Sequence, residues 1–274
     1  MTPTDSTQRD TWRIGDVTLD SRFLLGTAGY PSPQHLRDAI AAACTQVVTV
    51  GLKRTLSAAG DNGYIGIVRD ALHERGARLL PNTAGCRTAR EAVQLAHMAR
   101  ELYDTDWLKL EVIGDEHTLQ PDPFELVDAA AQLVRDGFTV LPYCTDDLVT
   151  CRRLLDAGCP VLMPWAAPIG SGQGLLNPFA LRSLRERLPD AVLIVDAGIG
   201  APSHAAQAME MGFDAVLLNS AVAHARDPVA MAGAFRFAIE AGRIACRAGV
   251  MARQDFAVPS TPVTGQPFVL GTLA

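Results

Sequence analysis

The sequence is nearly without lysine. Lysine and arginine together number 24 in 274 residues, and only Lys53 and Lys109 are lysines. Arginine supplies almost all the positive charge, so a lysine kept inside an apolar stretch is poorly explained as a casual surface cation. Other absences exclude whole classes. There is no basic tract and the net charge is −6, which argues against nucleic acid as a partner. No apolar run approaches the roughly 20 residues that span a bilayer, so no membrane association is expected. The opening stretch MTPTDSTQRDTW lacks the apolar segment of a signal peptide, and a soluble cytoplasmic protein is expected. Six cysteines are scattered with no C-x-x-C and no Cys/His cluster of zinc-ligand spacing. They read as reduced thiols, mostly small buried hydrophobes, and no metal is expected. No Walker A sequence and no G-x-G-x-x-G after a first strand is found, so nucleotide binding is not read.

Short apolar runs alternate with amphipathic segments rich in Ala, Leu and Arg. The spacing predicts strands over 22–28, 47–52, 77–83, 107–113, 138–144, 160–165, 191–197 and 215–221. Helices are predicted over 33–44, 63–75, 88–103, 123–136, 146–157, 178–187, 203–211 and 228–247. Eight strand–helix units in one chain point to a single (β/α)8 barrel with parallel strands. Gly137, Gly158 and Gly212 stand where helices should end. Asp122-Pro123 and Asp227-Pro228 stand where helices should begin. Residues 1–20 are expected to cap the bottom of a barrel spanning 21–250, and 251–274 to form a tail without helical or strand period.

Barrel chemistry sits at the C-terminal ends of the strands. The fourth predicted strand, WLKLEVI, carries Lys109 and Glu111 two positions apart, hence on one face. One reading is a buried ion pair filling a layer of the barrel. The other is an amine that attacks a carbonyl to form an imine, with a carboxylate beside it for proton transfers. Burial lowers such a lysine's pKa and Glu111 raises it; the sequence leaves the balance open. After the sixth strand comes GSGQG (170–174), after the seventh DAGIG (196–200), and at the eighth LLNSAV (217–222). Many barrels hold a phosphate between the loops after strands seven and eight, where Gly198, Asn219 and Ser220 fall. Asp196 either caps the next helical segment or serves as a second acid/base. His204 is read as a capping residue, and Asp146 and Asp147 as N-terminal residues of a helix.

Taken together, LPNTAG (80–85), KLEVIG (109–114), LQPDP (119–123), PIGSGQG (168–174), VDAGIG (195–200) and AVLLN (215–219) resemble the thiazole synthases of thiamin biosynthesis, from about residue 13 to the tail. The resemblance implies a (β/α)8 barrel that makes thiazole phosphate. Its implied substrates are 1-deoxy-D-xylulose 5-phosphate, dehydroglycine (2-iminoacetate) and the sulfur of a thiocarboxylate on a ubiquitin-like carrier protein. It implies Lys109 as the imine-forming amine and Glu111 and Asp196 as acid/base groups. It further implies Gly170, Ala197, Gly198, Asn219 and Ser220 as sugar-phosphate contacts, a homotetramer, and no metal or organic cofactor. The chain departs from the family's usual pattern at Gly29, Trp165 and Ser220. Rival readings are a paralogue acting on another sugar phosphate, a Schiff-base aldolase, and a non-enzymatic sugar-phosphate binder.

Overall fold

The computed structural model describes residues 10–53, 62–73 and 76–260. Ten strands are present among them: β1 (Trp12–Ile14), β2 (Val17–Leu19), β3 (Phe23–Gly26), β4 (Val47–Gly51), β5 (Arg78–Asn82), β6 (Trp107–Leu110), β7 (Thr139–Cys144), β8 (Val161–Pro164), β9 (Val192–Asp196) and β10 (Ala215–Leu218). The helices are α1 (Pro33–Ala43), α2 (Asn62–His73), α3 (Ala89–Tyr103), α4 (Pro123–Arg135), α5 (Leu148–Asp156), α6 (Pro178–Arg187), α7 (Pro202–Glu210), α8 (Ser220–Ala223) and α9 (Pro228–Ala248). Strands β3 to β10 close into a barrel in chain order, every neighbour parallel. The chain is therefore a (β/α)8 barrel, as the alternating pattern predicts. Residues 74–75 of the predicted second helix, 1–9 of the extension and 261–274 of the tail lie outside the described residues.

The strands read as continuous apolar runs because both faces are covered. One face meets the helices. The other fills the barrel with Leu24, Val47, Leu80, Leu141, Met163 and Ile194. A hairpin that the periodicity does not predict, β1–β2, adds Trp12, Ile14 and Leu19 to that interior cluster.

Caps account for the helix starts. Asp122, beside Pro123, accepts hydrogen bonds from the Phe124 and Glu125 amides at 2.9 and 3.0 Å. Asp227 accepts one from Ala230 at 2.9 Å and Asp147 one from Thr150 at 2.7 Å. Such caps contribute about 1 kcal/mol each.

Two strands stop three residues short of expectation. The fourth barrel strand stops at Leu110, because the Thr83 hydroxyl donates to the Glu111 carbonyl and accepts from its amide, both at 2.8 Å. A side chain thus replaces the ladder there. The eighth stops at Leu218 instead of 221. Asn219 turns the chain, and its carbonyl takes the Val222 and Ala223 amides at 2.9 Å to open α8.

Candidate active site

At the C-terminal ends of the strands lies a cavity of about 620 Å³. All eight residues singled out in the sequence line it: Lys109, Glu111, Asp196, Gly170, Ala197, Gly198, Asn219 and Ser220. It is within the range of ordinary ligand sites.

Lys109 projects from β6 into the barrel. Its ammonium lies 3.2 Å from Glu111 Oε1 and 2.6 Å from Asp196 Oδ2. The three residues are 5%, 5% and 2% exposed. Glu111 shares the strand face by the two-residue alternation. Asp196 comes from β9, separated from β6 by β7 and β8 in the barrel. It does not cap α7: that role falls to His204, whose Nδ1 accepts from the Gly200 and Ala201 amides at 3.2 and 3.3 Å. Asp196 Oδ2 meets the ammonium without any other hydrogen-bond donor.

One amine between two carboxylates settles the competition that the sequence leaves open. Burial drives the lysine's pKa down, but Asp196 and Glu111 together outweigh it and hold it above its ordinary value. Burial pushes the Asp196 carboxyl up, against the pull of Lys109, to about 6. The amine therefore rests protonated beside a carboxylate tuned to take a proton near neutral pH. The Tyr143 ring packs near the ammonium, centroid 5.7 Å from Nζ, and its hydroxyl donates to the Leu119 carbonyl at 3.3 Å.

The far wall is glycine and backbone. Ala197 has φ +71, a conformation a non-glycine residue rarely takes, and Gly198 follows at φ +79. A Cβ on Gly198 would stand 2.4 Å from the Ala167 amide nitrogen, and one on Gly200 2.3 Å from the Gly172 carbonyl oxygen. The loops after β8 and β9 are thus interlocked, with the Gly174 amide donating to the Gly198 carbonyl at 2.8 Å. Such strain clusters at functional sites.

Asn219 is divided in its role. Its Nδ2 donates to the Ala28 carbonyl at 2.9 Å, while its buried Oδ1 has no partner. Its side chain also forbids anything larger than glycine at position 26, where a Cβ would lie 2.5 Å from its own. Five polar residues not nominated from the sequence also line the cavity: Thr27, Thr49, Lys53, Asn82 and His224. Thr49 and Asn82 had a signal, being polar residues near the ends of apolar strands; their side chains are joined by a 3.2 Å hydrogen bond. His224 had none, since α8 is invisible to periodicity. Trp165 lies outside the cavity lining and donates from Nε1 to Asp146 at 3.1 Å. Among the described residues no cluster of three His, Cys, Asp or Glu is arranged to hold a metal ion, and no helix is long and apolar enough to cross a membrane.

A closed (β/α)8 barrel with perturbed, buried titratable groups at its strand C-termini has the organisation of a barrel enzyme. The sequence profile of the thiazole biosynthesis protein ThiG family matches residues 13–262. Thiazole synthase of Coxiella burnetii (strain Dugway 5J108-111) is 58% identical over 259 residues, 94% of this chain and 98% of that protein. Thiazole synthase of Ralstonia pickettii (strain 12J) is 60% identical over 269 residues, 98% of this chain and 97% of that protein. Among solved structures, a chain of the Amycolatopsis orientalis BexX/CysO complex superposes with a TM-score of 0.79 at 33% identity, covering 89% of this chain and 98% of that one. The chain belongs to the thiazole synthase family of thiamin biosynthesis.

Proposed function

We propose that the protein condenses 1-deoxy-D-xylulose 5-phosphate, dehydroglycine and the sulfur of a carrier-protein thiocarboxylate into thiazole phosphate, through an imine between Lys109 and the sugar ketone. The observation that carries this reading is the buried amine set between two carboxylates, at 3.2 and 2.6 Å.

The resting ammonium is no nucleophile. Asp196, whose carboxyl is raised to about 6, accepts its proton when the ketone arrives. The neutral amine then adds to the carbonyl carbon. The carbinolamine oxygen is protonated and leaves as water, giving the iminium. That cation acidifies the neighbouring C–H, and Glu111 on one side and Asp196 on the other move the protons of the steps that follow. The carrier's thiocarboxylate sulfur adds next; the carrier's acyl group then passes from that sulfur to a neighbouring sugar oxygen, and the carrier leaves with that oxygen as its carboxylate.

The sugar phosphate lies against Gly170, Ala197, Gly198, Asn219 and Ser220. The support is the glycine-built wall, where backbone comes close to the cavity without intervening side chains, and the Ser220 hydroxyl beside it. A protein sulfur donor is supported by the likeness to a chain solved in a two-protein complex. We further read the molecule as a cytoplasmic homotetramer without an organic cofactor; the exposed Phe179, Phe237 and Ile244 supply apolar surface for such assembly.

The test is reconstitution. The purified chain, the sugar phosphate, dehydroglycine and a thiocarboxylate-bearing carrier should yield thiazole phosphate by liquid chromatography and mass spectrometry. Turnover of the sugar phosphate without sulfur incorporation would favour a Schiff-base aldolase instead.

A further inference from the structure

The chain's only two lysines line the same cavity. Lys109 is already outmatched there, one ammonium against the carboxylates of Glu111 and Asp196. That cluster repels a second anion, so an anionic reactant needs a cation of its own. Lys53 supplies one, in the part of the lining that β4 and β5 contribute with Thr49 and Asn82. The steps proposed above use none of these three side chains.

Asn82 and Lys109 are register partners on adjacent strands. Register partners point to the same side of a sheet, and neighbouring strands lie about 4.8 Å apart. Asn82 therefore faces the barrel mouth next to the reactive amine. Thr49 shares its register with Leu80, a residue of the barrel interior, and is 6% exposed. Asn82 Nδ2 donates to Thr49 Oγ1 at 3.2 Å, and Asn82 Oδ1 accepts from the Ala84 amide at 3.2 Å. Lys53 Nζ donates to the Gly85 carbonyl at 2.6 Å, so Asn82 and Lys53 grip the same turn. Gly51, the register partner of Asn82 on β4, adds no side chain to this corner. In the ring of strands β5 stands opposite β9, and hence across the cavity from the glycine wall at Gly198.

This corner has hydrogen-bond donors to spare. Among the described residues, the Thr49 hydroxyl accepts from Asn82 and donates to nothing, and the second N–H of Asn82 Nδ2 has no acceptor. Buried donors left in this way cost stability until a ligand or water takes them. The Lys53 ammonium lies 3.8 Å from Glu91, with both side chains about half exposed, a pairing weak enough for an incoming carboxylate to compete with. Two neutral donors and an ammonium suit a small carboxylate. Resting on the reaction proposed above, we propose that Thr49, Asn82 and Lys53 form the subsite for dehydroglycine. They hold its carboxylate and set its imine beside the sugar carbon that Lys109 binds. The sugar's phosphate, on the carbon farthest from the reacting end, lies across the cavity. The two small substrates thus flank Lys109 from opposite sides.

Thr49→Val removes the hydroxyl at nearly constant volume, Lys53→Met removes the charge, and Lys53→Arg keeps it. Two readouts separate the substrates. The first is the borohydride-trapped adduct of 1-deoxy-D-xylulose 5-phosphate on Lys109, which needs no dehydroglycine. The second is KM in the complete reaction, measured for the thiocarboxylate carrier and for dehydroglycine, the latter formed in place from varied glyoxylate and excess ammonium. Thr49→Val and Lys53→Met should each leave the adduct and the carrier KM unchanged and raise the dehydroglycine KM about tenfold or more. Lys53→Arg should stay near the unaltered value. Retained adduct also shows that the variants fold. An unchanged dehydroglycine KM in both variants overturns the assignment. A rise in the carrier KM alone gives the corner to the carrier, and loss of the adduct in both variants with circular dichroism unchanged gives it to the sugar; either overturns it too. Absence of an adduct in the unaltered protein would instead sink the proposed reaction itself.

Discussion

The two ends of the barrel carry mirror-image charge clusters. At the N-terminal end one carboxylate sits among arginines: Asp10 meets Arg22 at 3.1 Å and Arg243 at 2.7 Å. At the C-terminal end one amine sits among carboxylates, Lys109 between Glu111 and Asp196. The first cluster is locked. The Arg243 hydrogen bond, with both guanidinium charges, holds the Asp10 carboxyl down at about 2, and arginine never gives up its proton. The second can move a proton, because burial raises Asp196 to about 6 and the amine beside it is a lysine. The same ion-pair chemistry yields a structural clamp where the charges are permanent and, in the proposed reaction, a site for acid–base chemistry where they titrate.

Lys109→Ala takes the cation out of the C-terminal cluster. Turnover and adduct should vanish while phosphate-ligand binding survives, as measured by calorimetry. Two carboxylates would then face each other in the interior, at a cost of about 3–5 kcal/mol when both are charged. The sign follows from linkage: with the amine gone Asp196 holds its proton to still higher pH, so the variant's deficit should shrink as pH falls from 8 to 5 in thermal unfolding. A deficit that does not change with pH would mean that the carboxylates do not interact.

Asp196→Asn should slow the proposed imine formation about 10²–10⁴-fold. In the unaltered protein the rate should fall as pH drops through about 6, where Asp196 becomes protonated. That limb should disappear from the pH–rate profile of the asparagine variant; if it persists, another group is the base.

Ser220→Ala removes one neutral hydroxyl. It should weaken sugar-phosphate binding by about three- to tenfold, the worth of a single net hydrogen bond, and an unchanged dissociation constant would move the phosphate elsewhere. Smallest of all is Asp10→Asn at the other end. It should lower stability by on the order of 1 kcal/mol and leave kcat unaltered. Because the Asp10 pKa is depressed, its contribution is present above about pH 4 and is lost as pH falls toward 2. Loss of activity in that variant would join the two ends and undo the contrast.

Much of this was legible in the sequence for identifiable reasons. The barrel follows from eight apolar runs each trailed by an amphipathic helix, and the pairing of Lys109 with Glu111 from their two-residue spacing. Asp196 was legible as an acid/base candidate, but its direct contact with Lys109 was not, because it spans strands that closure alone brings face to face. Nor was the direction of the lysine's shift, which depends on two distances. The Thr83 hydroxyl that ends β6, the short turn of α8 that brings His224 to the cavity, and the β1–β2 hairpin are too short to leave a period in the sequence.

If Lys109 attacks the ketone, borohydride must trap the sugar on that residue. The most direct measurement is intact-protein mass spectrometry after incubation with 1-deoxy-D-xylulose 5-phosphate and borohydride, followed by peptide mapping. One reduced sugar-phosphate adduct is expected on Lys109, absent from Lys109→Ala. Ligand binding without any adduct, or an adduct confined to Lys53, would contradict it and leave Lys109 as a buried structural cation.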